Sequence, residues 1–412
     1  MNPSRVAAIL GACRTGVADV YWQEAADRLA SERNGVEALL ESGVPVYGFT
    51  TYLGQLDRYA APRDSSLEAE LLQAHLVGPL SVLPASSVRL VTACKLEQLS
   101  HGGSGIDPTT FDSLLAQFAQ EPDTGALGCW SSYGAGDVVP AAWWLNSLSA
   151  KGAMTLDHRG DVITLINGSF LSTALALEAA LSFADFAGSL LALLGAHAYS
   201  GRLDSGWEPD ALAAWLNLRV PPAGSATPQL PLSVRDIEPI GRAFFNAIAR
   251  LRDAIDARLS SPSANPLFVS KEGATVALSQ NSYLDFDLTF ALTNARQACM
   301  LGLGALQRLA HHLSMTLQSA SPIPQQFLIQ PPKILSAMLI EAQLTCAVPS
   351  VFTGDDSEGI EDLHDLSLMT ARSLANCTRE YALPGLRVVL DMIPDKVDLS
   401  AGVAAANILL AK

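Results

Sequence analysis

Residues Phe170–Ala198 read F-L-S-T-A-L-A-L-E-A-A-L-S-F-A-D-F-A-G-S-L-L-A-L-L-G-A-H-A, and no other stretch limits the fold so strongly. Its apolar residues fall on every face of a 3.6-residue period, so a helix here has no side to offer to water. Glu178, Asp185 and His197 interrupt it, which marks a helix buried inside a protein bundle in preference to a membrane span. The 412-residue chain is 49% hydrophobic and 16% charged, enough for a large core with apolar surface left for an oligomer interface. A net charge of −15 with no basic run argues against nucleic acid and anionic membrane as partners. Six cysteines (13, 94, 129, 299, 346 and 377) are scattered without a CxxC pair, as expected of reduced thiols in a cytoplasmic protein. The apolar run Val6–Cys13, broken by Arg14, is too short and poorly flanked for a secretory signal.

Further apolar periodicity predicts helices over 19–42, 88–106, 240–259, 287–319 and 333–347. Residues 201–232 interleave Gly, Pro, Ser and Asp with two tryptophans and read as a surface excursion within one domain. The expected architecture is a single all-α domain over 1–412, loop-rich to about 165 and a long-helix bundle beyond it. His311 and His312 point about 100° apart on a helix. No His, Cys or carboxylate cluster has metal-ligand spacing, so neither a metal nor a bound cofactor is expected.

Several short segments carry polar residues in unusual settings, and each has a plain structural reading. Residues 125–142, G-A-L-G-C-W-S-S-Y-G-A-G-D-V-V-P-A-A, read as a Gly-rich turn opening an apolar helix. Tyr47, in V-P-V-Y-G-F-T-T-Y-L-G, reads as a loop tyrosine packed by its ring and wet at its hydroxyl. His75, in E-A-E-L-L-Q-A-H-L-V-G, reads as a satisfied helical histidine. Asn167-Gly168-Ser169 reads as an N-cap and turn before the long apolar helix. Gln229 and Arg235, in P-Q-L-P-L-S-V-R, read as loop polar groups. Asn281, in S-Q-N-S-Y-L, reads the same way, and Glu361-Asp362 reads as an acidic patch opening a helix.

In their order and spacing these segments resemble the aromatic amino-acid ammonia-lyase and aminomutase family, over roughly residues 40–375. There an Ala-Ser-Gly-Asp-Leu-x-Pro segment cyclises and its serine loses water, giving the methylidene-imidazolone (MIO) electrophile. Gly134, Ala135 and Gly136 stand in that place here, followed by Asp137 and Pro140. Ala135 has no hydroxyl to eliminate, either as a natural departure or as a Ser→Ala change. The resemblance makes Tyr47 the catalytic tyrosine of the Tyr-Gly-Val-x-Thr-Gly-Phe-Gly loop. Asn167 matches the asparagine of Leu-x-Asn-Gly-Thr, which touches substrate or the cyclised loop. Glu361 matches the glutamate of Gln-Glu-Asp-His, with two extra residues needed to bring Ser367 into register. Arg235, whose planar fork of donors suits a carboxylate, matches the substrate clamp of Gln-Asp-x-Tyr-Ser-x-Arg, with Gln229 beside it. His75 and Asn281 fall in substrate-binding segments, Asn281 in the weakest of the matches. Leu232 and Ala264 replace a family tyrosine and aspartate.

The resemblance implies an all-α long-helix bundle whose active sites form at subunit interfaces of a tetramer. The chain ends before the family's C-terminal shield is complete, so a dimer is the other expected assembly. Removing one preorganised electrostatic group already costs about 10²–10³-fold in rate, so a chain lacking the electrophile is not expected to deaminate a simple amino acid. The expected activity is MIO-independent. Tyr47 acts as acid or base in an addition, elimination or cyclisation on a pre-activated small molecule bearing an anionic group, in specialised metabolism. A non-catalytic homologue that binds a small molecule or partner is the alternative, and an inactive Ser→Ala variant of a MIO-dependent lyase or aminomutase is the third.

Overall fold

The computed structural model describes residues 4–62, 66–121, 123–132, 136–152, 154–197, 232–235, 237–317, 321–347, 352–356 and 361–411. They form two compact units. The first comprises Met1–Leu177, Ile255–Thr289 and Pro349–Met369; the second comprises Glu178–Ala254, Phe290–Val348 and Thr370–Lys412. The structure is 66% helical, as the apolar periodicity requires.

In the first unit the chain runs through α1 (Arg5–Thr15), α2 (Val20–Gln23), α3 (Ala26–Glu41) and α4 (Ser66–His75), then β1 (Leu80–Leu83), α5 (Ala85–Ser100) and α6 (Pro108–Ala119). It continues with β2 (Gly125–Gly128), α7 (Val138–Ser149), α8 (Asp161–Ile166) and α9 (Phe170–His197). The helix expected over 19–42 is broken at Glu24-Ala25, where the backbone turns between α2 and α3. α5 is the spine, buried on nearly every face from Val88 to Ser100. That burial takes Glu97 with it. Its carboxylate accepts Nε and Nη2 of Arg5 at 2.8 and 2.6 Å and Nε1 of Trp22 at 2.6 Å. A buried charge persists only when so satisfied.

Among the described residues three two-stranded antiparallel sheets interrupt the helices: β1 with β2, paired across the intervening α5 and α6, then β3 (Leu267–Lys271) with β4 (Ala274–Leu278), and β5 (Thr353–Asp356) with β6 (Glu361–Leu363). The register pairs Leu80 with Gly128 and Leu267 with Leu278. Glu361 therefore lies on a strand, and the helix that follows starts at Ser367, not at the acidic pair.

The second unit takes residues from α9, α10 (Leu232–Arg235), α11 (Glu238–Leu259) and α12 (Phe286–Thr316). To these it adds α13 (Gln330–Thr345), α14 (Ser367–Asn376), a π-helical turn (Cys377–Ala382), α15 (Leu383–Met392) and α16 (Ser400–Ala411). Phe183 stacks on Phe244 at 5.4 Å between centroids, and Phe186 meets the same ring edge-on at 5.9 Å. Small residues let the helices close. A Cβ on Gly302 would lie 2.7 Å from the Phe244 ring, and the Gly402 backbone occupies the place of a Cβ on Gly188. The stretch Asp161–Ala196 has the length and composition of a membrane span, yet 67% of its most apolar window is buried, as the all-round apolar pattern predicts for a bundle helix.

Candidate active site

Tyr47 sits in a loop that closes on itself. The Val46 carbonyl accepts the backbone N–H groups of Phe49, Thr50 and Thr51, and Thr50 Oγ1 accepts the Val46 N–H at 2.8 Å. The Tyr47 phenol oxygen accepts the Gly54 N–H at 3.1 Å, fixing the ring across the loop. Gly48 has φ +71°, and a Cβ there would strike Ile163 and Leu53, so only glycine lets the loop settle on α8. Val46, Phe49, Ile163 and Phe268 are the buried core beneath it, with Tyr47 and Leu53 packed against them.

α8 is anchored from α4. The fully buried Glu68 carboxylate accepts the Gly160 and Val162 N–H groups at 2.8 and 2.7 Å, satisfying donors that a helix start leaves orphaned. Asp161 beside it accepts Thr110 Oγ1 at 2.9 Å and the His158 N–H at 2.9 Å. Burial pushes Glu68 up to about 7 and Asp161 up to about 6.

Asn167 ends α8 with extended backbone, ψ 154°. Its carbonyl accepts Lys95 Nζ at 2.9 Å and Gln98 Nε2 at 3.3 Å. Its side chain lies against Gly136, whose hypothetical Cβ would be 3.1 Å from Asn167 Oδ1. That oxygen is buried and has no hydrogen-bond donor among the described residues. A buried unpaired acceptor costs about 1–3 kcal/mol. A small cavity of about 10 Å³ lies here, lined by Asn167, Thr164, Ser104, Asn265, Phe49 and Pro266 among others. Half of this lining donates or accepts hydrogen bonds and half is apolar.

Behind Asn167 runs a polar network that sequence reasoning missed. Lys95 is fully buried, donates to Gln98 Oε1 at 3.1 Å, and stands 4.4 Å from the centroid of the Phe170 ring. Burial holds its amine well below the usual lysine value. Gln98 also donates to the Ser263 carbonyl. The Ser169 N–H donates to Ser263 Oγ at 3.0 Å, and Arg258 Nε donates to Ser169 Oγ at 2.6 Å. Ser169 thus spends its hydroxyl on this network and does not cap the long helix with it, contrary to the N-cap reading.

A second missed group is Asp365. Its carboxylate accepts the N–H groups of Asp285 and Ser367 at 2.9 and 2.8 Å and Thr289 Oγ1 at 3.2 Å. Burial, reinforced by nearby Asp137, pushes it up to about 7. Asp137 has left-handed backbone, φ 48°, and accepts Ser131 Oγ at 2.6 Å, which ties down the far side of the Gly-rich segment.

The structure places Tyr47 and Asn167 on neighbouring elements of the first unit, since the Tyr47 loop rests on Ile163, one turn before Asn167. His75 ends α4 with Nδ1 donating to the Leu71 carbonyl of its own helix at 2.7 Å, and burial lowers its pKa. Asn281 is exposed in the turn after β4. Arg235 and Glu361 are placed by their backbones alone, in α10 and β6. Gln229, Gly134 and Ala135 lie outside the described residues. The electrophile implied by the resemblance needs a hydroxyl at 135, and alanine supplies none, so the residues present do not fit that group.

Comparison with known proteins bears on the fold. The family model described as "Aromatic amino acid lyase" matches residues 5–180. A histidine ammonia-lyase of Burkholderia lata is 26% identical over 396 residues, covering 83% of this chain and 76% of that protein. Among solved structures, the ergothionase of Treponema denticola superposes with a TM-score of 0.77 at 13% identity, covering 99% of this chain and 97% of that one. A tyrosine aminomutase from Streptomyces globisporus gives 0.71 at 16% identity, covering 94% and 91%. At these identities the structural likeness shows the fold.

Proposed function

Because the chain belongs to the aromatic amino acid lyase family, we propose that it is an enzyme of that fold working without the MIO electrophile. Its substrate is a small, already activated molecule with an anionic group. Tyr47 moves the proton in an addition, elimination or cyclisation. The observation that carries this reading is the Tyr47 loop packed on Ile163 of α8, the helix that ends at Asn167, in a chain whose residue 135 is an alanine without the reactive hydroxyl. Asn167 Oδ1, buried and unpaired, receives a donor on the substrate, an N–H or O–H. Phe49 and Pro266 line the apolar side of the small cavity beside Asn167. Arg235 supplies the anion's partner, Gln229, His75 and Asn281 complete the binding set, and Glu361 assists the second proton transfer. Assembly into a homotetramer or dimer, a cytoplasmic location and a role in specialised metabolism belong to the same proposal.

The test is a panel of unsaturated and imine-bearing carboxylic acids, with turnover followed for wild type and Tyr47→Phe. Wild type turns over at least one member, and the variant binds that compound with nearly unchanged affinity but loses turnover by at least about 10²-fold. Equal turnover in the variant overturns the role of Tyr47. A second reading, a small-molecule-binding homologue without catalysis, draws on the departures at Ala135, Leu232 and Ala264. It is supported if wild type binds panel members and transforms none.

A further inference from the structure

Lys95 stands on α5 with its side chain fully buried, and among the described residues no carboxylate pairs with it. Its contacts are neutral ones. Nζ donates to the Asn167 carbonyl at 2.9 Å and to Gln98 Oε1 at 3.1 Å, and the centroid of the Phe170 ring lies 4.4 Å away. A methionine would fill nearly the same volume without the cost of taking a polar amine out of water. What the amine adds is its two hydrogen bonds, and both bear on one peptide group.

The Asn167 carbonyl needs donors from outside its own helix. α8 ends at Ile166, and Asn167 turns out of it with φ −87° and ψ 154°, so its carbonyl has no later helical N–H to meet. Gly168 continues the turn at φ +106°, where only glycine is at ease, and a Cβ there would strike the Gln98 amide and lie 2.6 Å from the Ser263 carbonyl. α5 supplies the donors from one face, because Lys95 and Gln98 are three residues apart and so are neighbours on its surface. Lys95 gives the Asn167 carbonyl its shorter hydrogen bond. By donating to Oε1 it also orients the Gln98 amide, whose Nε2 then donates to the Asn167 carbonyl at 3.3 Å and to that of Ser263. From the peptide held in this way the Asn167 side chain runs to Gly136, where a Cβ would lie 3.1 Å from Oδ1.

We propose that Lys95 is a positioning residue for the candidate site: its amine fixes the Asn167 peptide, directly and through Gln98, and so sets the direction in which the Asn167 side chain meets a ligand. The proposal rests on the reading of Asn167 as a substrate-binding residue. Lys95 acts through Asn167 and takes no part in proton transfer, because its own hydrogen bonds go to a main-chain carbonyl and to Gln98.

The sequence offers a direct readout, because asparagine precedes glycine at two places, Asn34-Gly35 and Asn167-Gly168. In the deuterated full chain, carbonyl-labelled asparagine with amide-labelled glycine gives two carbonyl–amide correlations by NMR. Side-chain amide labelling, assigned through Asn167→Asp, follows the Asn167 side chain itself. In Lys95→Met, at unchanged helix content, the Asn167 carbonyl and side-chain amide signals are expected to move while the Asn34 correlation stays. If that variant does not fold, Lys95→Gln, which keeps a shorter donor, is read in the same way. A side-chain amide that stays in place overturns the proposal, whether or not the carbonyl moves. The second readout is binding of a carboxylic acid from the panel above. Lys95→Met should weaken it by about 10-fold, and by less than about 2-fold in an Asn167→Ala background, where nothing is left to position. Equal losses in both backgrounds overturn the positioning role. A panel that wild type does not bind counts against the reading of the function, and the amide signals alone then decide on Lys95.

Discussion

The two units bury different things. Every buried charged side chain among the described residues belongs to the first: Arg33, Glu68, Lys95, Glu97, Asp137, Asp161 and Asp365. The second buries hydrocarbon, sulfur and four hydroxyls, those of Ser189, Thr370, Ser373 and Thr378. Burying a charge costs several kcal/mol unless hydrogen bonds replace its water. The first unit accepts that cost at the elements that set Tyr47, Asn167 and the ends of the Gly-rich segment. The second is held by close helix packing, which asks only for shape. The difference separates a region built to place polar atoms from one built to hold helices together.

The comparison predicts unequal responses to substitution. Glu97→Ala leaves Trp22 Nε1 without its acceptor and Arg5 with only the 3.3 Å contact to Asp19, and should cost about 2–3 kcal/mol by urea unfolding. A loss under about 1 kcal/mol would mean the buried charges of the first unit are not structural. Gly188→Ala forces a methyl against the Gly402 backbone and should cost about 1–3 kcal/mol. A neutral result would show that the second unit yields where it is described as tight.

The pH dependence should also belong to the first unit. Burial pushes Glu68 and Asp365 up to about 7, against ordinary values of 4.5 and 3.8. The native state therefore keeps these protons where the unfolded chain has released them. The stability they contribute is full below the unfolded values and is lost as pH rises toward 7. Urea midpoints should fall between pH 4.5 and 7, and Asp365→Asn should flatten that fall. An unchanged slope in the variant removes Asp365 from the account. The smallest effect is expected from Tyr47→Phe, which loses the acceptor for the Gly54 N–H and should cost only about 1 kcal/mol. A larger loss would make Tyr47 a structural residue of its loop.

The long helices were legible because apolar residues on every face leave no alternative to burial, as at Phe170–His197. The short strand pairs were not, because strands of three to five residues carry too short a pattern. Motif order singled out Tyr47 and Asn167, and the structure places their elements side by side; Ala135 lies outside the described residues. Lys95 and Glu68 were invisible for a physical reason. A charged residue in a helical pattern reads as solvated until tertiary neighbours are known. Asp365 was hidden by the two-residue mismatch around Glu361-Asp362, which drew attention to the strand in place of the buried acid after it.

The central claim is that this member of the family carries no electrophile made from its own backbone. The most direct measurement is the mass of the peptide spanning residues 131–143 from the natural protein. The account predicts the mass summed from the sequence, unmodified, with alanine at 135. A peptide carrying serine at 135 and lighter by two waters, one from ring closure and one from the serine, would contradict the claim and return the chain to the electrophile-dependent chemistry described for the family.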